Sequence, residues 1–142
     1  MTKSQIIYEE ALRYLGTKEV PGPASNPLIK SWIKAAADWL DGDDSKTAWC
    51  GCFRGAVGLN TGTGVPAEHF RASAWKTWGS PVKSTEAVPG DTAILSRRGG
   101  KHVALIHKFS PDRRFVYLLG GNQSDSVSIA RFDAALIESI RR

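Results

Sequence analysis

The order of its periodicities predicts an α+β domain in which N-terminal helices pack on one face of a C-terminal antiparallel sheet. Three observations carry that expectation. Apolar residues recur at helical spacing in the segments before Gly79. After Asp91, short apolar and β-branched runs replace them. The links between those runs, at 96–101 and 110–113, are short enough for hairpins, which makes neighbouring strands antiparallel. A chain of 142 residues is expected to be one domain, over 1–142, that buries a core without staples.

Each element has its own justification. In residues 2–15, Thr2 and Gln5 have capping-box spacing, and Tyr8, Ala11, Leu12 and Leu15 fall at i, i+3, i+4 and i+7. Gly16 is a natural stop, and Pro21, Pro23 and Pro27 exclude regular structure in the stretch they span. Asn26-Pro27 reads as an N-cap followed by proline at the first helical position. That helix is expected to reach about Leu40, with Ile29, Trp32, Ile33, Ala36 and Leu40 on one face. Trp32 and Trp39 are expected to pack in the core and at its rim.

A loop of turn-formers at 41–47 leads into a third helix, from Cys50 to about Leu59. Gly51, Gly55 and Gly58 leave one face of it bare. Each interior glycine costs about 0.5–1 kcal/mol relative to alanine, so another backbone should pack close there, and the sheet is the expected neighbour. A loop at 60–64, a short helix over 66–78 ended by Gly79, and a connector closing with Pro89-Gly90-Asp91 complete this half. Strands are expected at 92–95, 102–107, 114–119 and 127–129. The tail has two readings: Ala134-Ala135-Leu136 favours helix, and 137–140 favours an edge strand.

Composition narrows the function classes. With 42% hydrophobic and 23% charged residues the chain reads as globular. No apolar run approaches the roughly 20 residues of a membrane span, so stable membrane insertion is not expected. Residues 1–5 lack a basic-then-apolar start, so synthesis in the cytoplasm without a signal peptide is expected. Cys50 and Cys52 lie two apart, facing opposite ways on a helix, and are expected as free thiols in a reducing compartment. The net charge of +5 favours an acidic partner. The basic residues are scattered and form no nucleic-acid motif, so nucleic acid is not the expected partner.

Cys50 is the centre of the chemical reading. At a helix N-terminus, unpaired backbone N–H groups and the helix dipole favour the reactive thiolate. The competing use is a small buried hydrophobe. A nucleophilic cysteine needs a base and a group to orient it. His102 enters a strand after the loop 97–101, sharing a face with Ala104 and Ile106, opposite Val103, Leu105 and His107. His107 is expected near the surface and His69 exposed. Asn122, after Gly120-Gly121, suits the orienting role, an amide carbonyl accepting an imidazole N–H; its other use is a left-handed turn residue. Gln123 is a candidate oxyanion donor or substrate contact. Cys50, Cys52 and His102 do not have the paired spacings of a zinc site, and neither metal nor cofactor is expected.

Taken together, Trp49-Cys50-Gly51-Cys52-Phe53, Pro89-Gly90-Asp91, His102-Val103 and Gly120-Gly121-Asn122-Gln123 resemble the CHAP and NlpC/P60-like cysteine peptidases of papain-type fold. The similarity extends to compact phage and prophage peptidoglycan hydrolases (endolysins) through the run from Tyr14 to Gly22, Asn26-Pro27, and the run from Ala72 to Gly79, spanning roughly residues 8–130. Gly51-Cys52 departs from the two small residues usual in that family. The resemblance implies a papain-like core with Cys50 as nucleophile, His102 as base and Asn122 as orienting residue. It implies cleavage of an amide in the peptide part of bacterial peptidoglycan, by an endopeptidase or an N-acetylmuramoyl-L-alanine amidase, acting on the wall after release from the cytoplasm. Trp49, Gln123, Trp75 and Arg98 are the candidate substrate contacts, and a monomer is expected.

Overall fold

The computed structural model describes all 142 residues, Met1–Arg142. It has three α-helices followed by a five-stranded antiparallel sheet of order β4-β3-β2-β1-β5, the α+β arrangement expected. Helix α1, Lys3–Leu12, starts with the reciprocal capping box: Thr2 Oγ1 accepts from Gln5 N, and Gln5 Oε1 accepts from Thr2 N. It stops short of Leu15 in a series of turns, and Gly16 N then donates to Val127 O, tying the segment to the sheet. Helix α2, Pro27–Ala36, is capped by Asn26 Oδ1, which accepts from Leu28 N and Ile29 N. It ends four residues before Leu40. Lys34 Nζ donates to the carbonyls of Asp38 and Leu40, folding 37–40 back over the last turn. Trp39 stays at the rim, 70% exposed, edge-on to Phe70.

Helix α3, Cys50–Thr61, is buried along residues 50–58 and forms the centre of the molecule. Its glycine face meets a neighbour the sequence did not suggest. The chain at 64–70, not the sheet, lies against it. A Cβ on Gly51 would fall 2.6 Å from the carbonyls of His69 and Phe70, one on Gly58 would fall 2.5 Å from that of Gly64, and one on Gly55 would collide with the His69 ring. His69 is therefore buried (7% exposed), not exposed as expected. The sheet approaches α3 through a different glycine, Gly121, where a Cβ would meet the Trp49 ring and Phe53 Cβ at 2.7 and 2.8 Å.

Strands β1 (Thr92–Arg97) and β2 (Gly100–Phe109) form a hairpin in which Ile94 faces Val103 and Leu95 faces His102. Strand β3 (Phe115–Gln123) pairs with β2 and with β4 (Ser126–Asp133), and its register slips between Gly120 and Gln123. In the tail both readings apply to successive residues: Ala134–Leu136 makes one 3-10 turn, then β5 (Ile137–Arg141) adds an edge strand on β1. The expected helix over 66–78 is a 3-10 helix, Ala72–Thr77.

Period-two alternation gives the sheet two apolar faces. Ile94, Val103, Leu105, Leu119 and Val127 join the helices in the main core. Ala93, Leu95, Ala104, Ile106, Val116, Leu118 and Ile140 make a smaller cluster behind, covered by Val82, Ala87, Phe109, Phe132 and Ile137. Asp91 locks the connector: its buried carboxylate accepts from Ser4 Oγ and Val88 N and is bidentate with Arg142. No helix is long and apolar enough to cross a membrane.

Candidate active site

The loop before α3 is built from its aspartates. Asp41 and Asp43 accept from backbone N–H groups two residues on, and Asp44 Oδ2 accepts from Asn26 N and Val20 N. This holds Trp49 at the helix start, where it caps without a side-chain hydrogen bond, so amides of the first turn remain available. Trp49 itself points inward. Its indole is fully buried and donates to Glu19 Oε2 at 2.9 Å. Trp75 is buried as well, donating to His69 O, with the Arg54 guanidinium 4.3 Å from its ring. Both tryptophans are core residues and not the substrate contacts expected, because each indole N–H finds its partner inside the protein.

Cys50 lies on the floor of a groove of about 430 Å³ lined by Leu40, Thr47, Ala48, residues 70–73 and 99–101. It is 6% exposed. Burial pushes its thiol up, while backbone N–H groups of Val103, Gly51 and Cys50 and the Arg97 charge pull the other way. Cys52 is sealed in the core, and burial pushes it up to about 12, with Cys50 adding to the shift. Of the two thiols, only Cys50 opens on a groove.

His102 is fully buried, its ring stacked 5.5 Å from Phe132. Its Nε2 is 3.0 Å from Gln123 Oε1. The amide end of Gln123 is fixed, because its Nε2 donates to the carbonyls of Ser128 (2.8 Å) and Leu118 (3.2 Å). His102 Nε2 must then carry the proton, leaving Nδ1 as the lone-pair nitrogen. Arg97 Nη1 donates to that nitrogen at 3.2 Å. Burial pulls His102 down to about 4, with the Arg97 charge adding to the effect and Gln123 opposing it, so the ring is neutral at pH 7.

Asn122 does not orient His102; Gln123 does. Simple alternation along β3 would put residues 118, 120 and 122 on the His102 face. The bulge between Gly120 and Gln123 reverses that parity, and Asn122 takes the left-handed conformation (φ +58°) while Gln123 returns to the imidazole. The sequence sign was Gly120-Gly121 before Asn122, a bulge signature. Gln123 was expected as an oxyanion donor or substrate contact, and Arg97 is a residue that sequence reasoning did not single out. Its place follows from the hairpin register, which sets it beside the start of β2.

Cys50 and His102 make no hydrogen bond to each other. The sulfur lies by the Val103 backbone, on the helix side, whereas the imidazole packs with the rear cluster beside a cavity of about 340 Å³ lined by Leu95, Ser96, Arg97, Arg98, Phe132 and Leu136. The hairpin tip separates them, and the Arg97 charge is felt by both groups. The other histidines stand apart: His107 pairs with Tyr8 Oη and stacks on its ring, and His69 Nε2 has no partner. No three His, Cys, Asp or Glu side chains converge to hold a metal. Among known proteins, no family model matches the chain, and no curated protein is significantly similar to it.

Proposed function

We propose that the protein is a peptidoglycan hydrolase with a papain-like core, cleaving an amide bond in the peptide part of the wall. Cys50 is the nucleophile, His102 the base and Gln123 the orienting residue. The observation that carries this reading is the buried imidazole held in one tautomer by a locked amide, one residue along the strand from the backbone N–H that lies at the Cys50 sulfur. A neutral ring whose Nδ1 keeps its lone pair is what a general base must offer, once Arg97 has moved off that nitrogen.

The reaction requires that Arg97 leave Nδ1 and that the imidazole come within hydrogen-bond reach of the sulfur, so that Nδ1 takes the thiol proton. The thiolate attacks the carbonyl carbon, and the oxyanion is held partly by the Cys50 N–H at the start of α3. His102 returns the proton to the leaving amine as the C–N bond breaks. Water then attacks the thioester, giving its proton to Nδ1, and the carboxylate departs as the thiolate is released. The net charge of +5 favours approach to the anionic wall, an effect that salt weakens.

A second reading is a non-catalytic wall-binding module on the same fold. The contact of Arg97 with His102 Nδ1 and the burial of Cys50 favour it. The two are separated by clearing of purified sacculi with wild-type, Cys50→Ala, Cys52→Ala and His102→Ala proteins. The hydrolase reading expects clearing by wild type and Cys52→Ala alone. Lysis by Cys50→Ala at the wild-type rate, or none by wild type, would overturn it.

A further inference from the structure

Arg97 and Arg98 stand at the tip of the β1–β2 hairpin, exposed, and no carboxylate pairs with either. Neighbouring cations are matched: Lys101 and Lys76 by Glu138, and Arg71 by Glu68. Both arginines line the cavity of about 340 Å³ beside His102, whose walls include Leu95, Phe132 and Leu136 and no acidic side chain. Two unmatched guanidiniums over an apolar wall select a ligand that carries a carboxylate next to a small apolar group.

Arg97 connects this cavity to the chemistry. A guanidinium keeps its protons and always donates. While Arg97 Nη1 rests on His102 Nδ1, the only lone pair of that imidazole is occupied. A carboxylate offers Arg97 a charged, two-pronged acceptor in place of one neutral nitrogen.

We propose that this cavity binds a carboxylate of the substrate peptide, and that binding draws Arg97 off His102 Nδ1 and so frees the base. The acid-selecting pocket stands on the geometry alone; that the carboxylate belongs to the substrate rests on the hydrolase reading above. The ligand class is a short peptide or N-acylated amino acid with a free carboxylate, and its amidated form leaves the base blocked.

The test uses wild-type protein with ¹⁵N-labelled histidine, titrated with N-acetylalanine or with N-acetylalaninamide, its neutral counterpart. The Nδ1 resonance of His102 is followed. The acid should shift it saturably and the amide should not. Arg97→Gln should weaken the acid's binding about tenfold or more, the loss expected for one charge-assisted hydrogen bond. Arg98→Gln should weaken it less, and Arg97→Lys, which keeps the charge and loses the two-pronged contact, should fall between wild type and Arg97→Gln. An equal response to acid and amide, or Arg97→Gln binding the acid as wild type does, overturns the proposal. The readout involves no turnover. A carboxylate-specific shift in a protein that leaves sacculi intact would remove the hydrolase reading and keep the pocket, whereas lysis without carboxylate preference would do the reverse.

Discussion

Replacing Gln123 by alanine tests the hydrogen-bonded support of the imidazole. In the wild type, Gln123 Oε1 accepts from His102 Nε2 while its amide nitrogen serves the carbonyls of Ser128 and Leu118. Alanine leaves the His102 N–H buried and unpartnered, at about 1–3 kcal/mol for the orphaned group. The lost amide also leaves a small cavity, bringing the total to about 3–4 kcal/mol. With an unfolding entropy of about 2.1 cal/mol/K per residue over 142 residues, the slope is about 0.3 kcal/mol per degree. The melting temperature at pH 7, followed by circular dichroism, should therefore drop about 10 °C. Arg97 Nη1 still donates to Nδ1 in the variant, so the imidazole ¹⁵N spectrum should keep its Nε2–H tautomer. A drop of under 2 °C would refute this account of how His102 is held.

Four further outcomes follow from the same structure. Gly55→Ala should destabilise by about 2 kcal/mol or more in urea titration, because its Cβ runs into the His69 ring; a neutral effect would contradict that packing. His102 binds its proton near 4 when folded against 6.5 when free, so the unfolded chain takes up the extra proton. This contribution is whole above about pH 6.5 and is lost as pH falls towards 4, by about 3 kcal/mol at the limit. His102→Gln should flatten that part of the urea-midpoint profile, and an identical profile would be the contrary result. Arg54 is buried with both terminal nitrogens unpartnered, and burial pulls it down to about 9. Arg54→Met should hold or raise the melting temperature, and a fall of more than about 2 kcal/mol would show that the Trp75 and Trp78 contacts outweigh the desolvation. Iodoacetamide should label Cys50 ahead of Cys52 in the native protein, as mass analysis of digests would reveal; the opposite order would contradict the burial of the two thiols.

Local signals in the sequence carried far. The Thr2–Gln5 capping box, the Asn26-Pro27 start and the division of β2 between Val103/Leu105 and Ala104/Ile106 all depend on spacing within one element, and the structure has them. What failed depended on contacts between elements. The bare face of α3 signalled a close neighbour but not which one, so His69 was misplaced. Trp49 and Trp75 looked available because nothing nearby in sequence announces Glu19 or the His69 carbonyl as indole partners. Gln123 holds the place beside His102 expected of Asn122 because of a single bulge, since one inserted residue reverses every later side chain. The Arg97 contact with His102 depends on the rotamer of a long side chain, which residue spacing leaves open.

The central claim is that Cys50 forms a thioester with the wall peptide. Intact-protein mass analysis after acid quenching of a sacculus digest tests it most directly, with the adduct then mapped by fragmentation. An acyl mass on Cys50 of the wild type, absent from both Cys50→Ala and His102→Ala, is the predicted result. Wall fragments with new amino groups, released while Cys50 stays unmodified at every quench time and Cys50→Ala remains active, would contradict it.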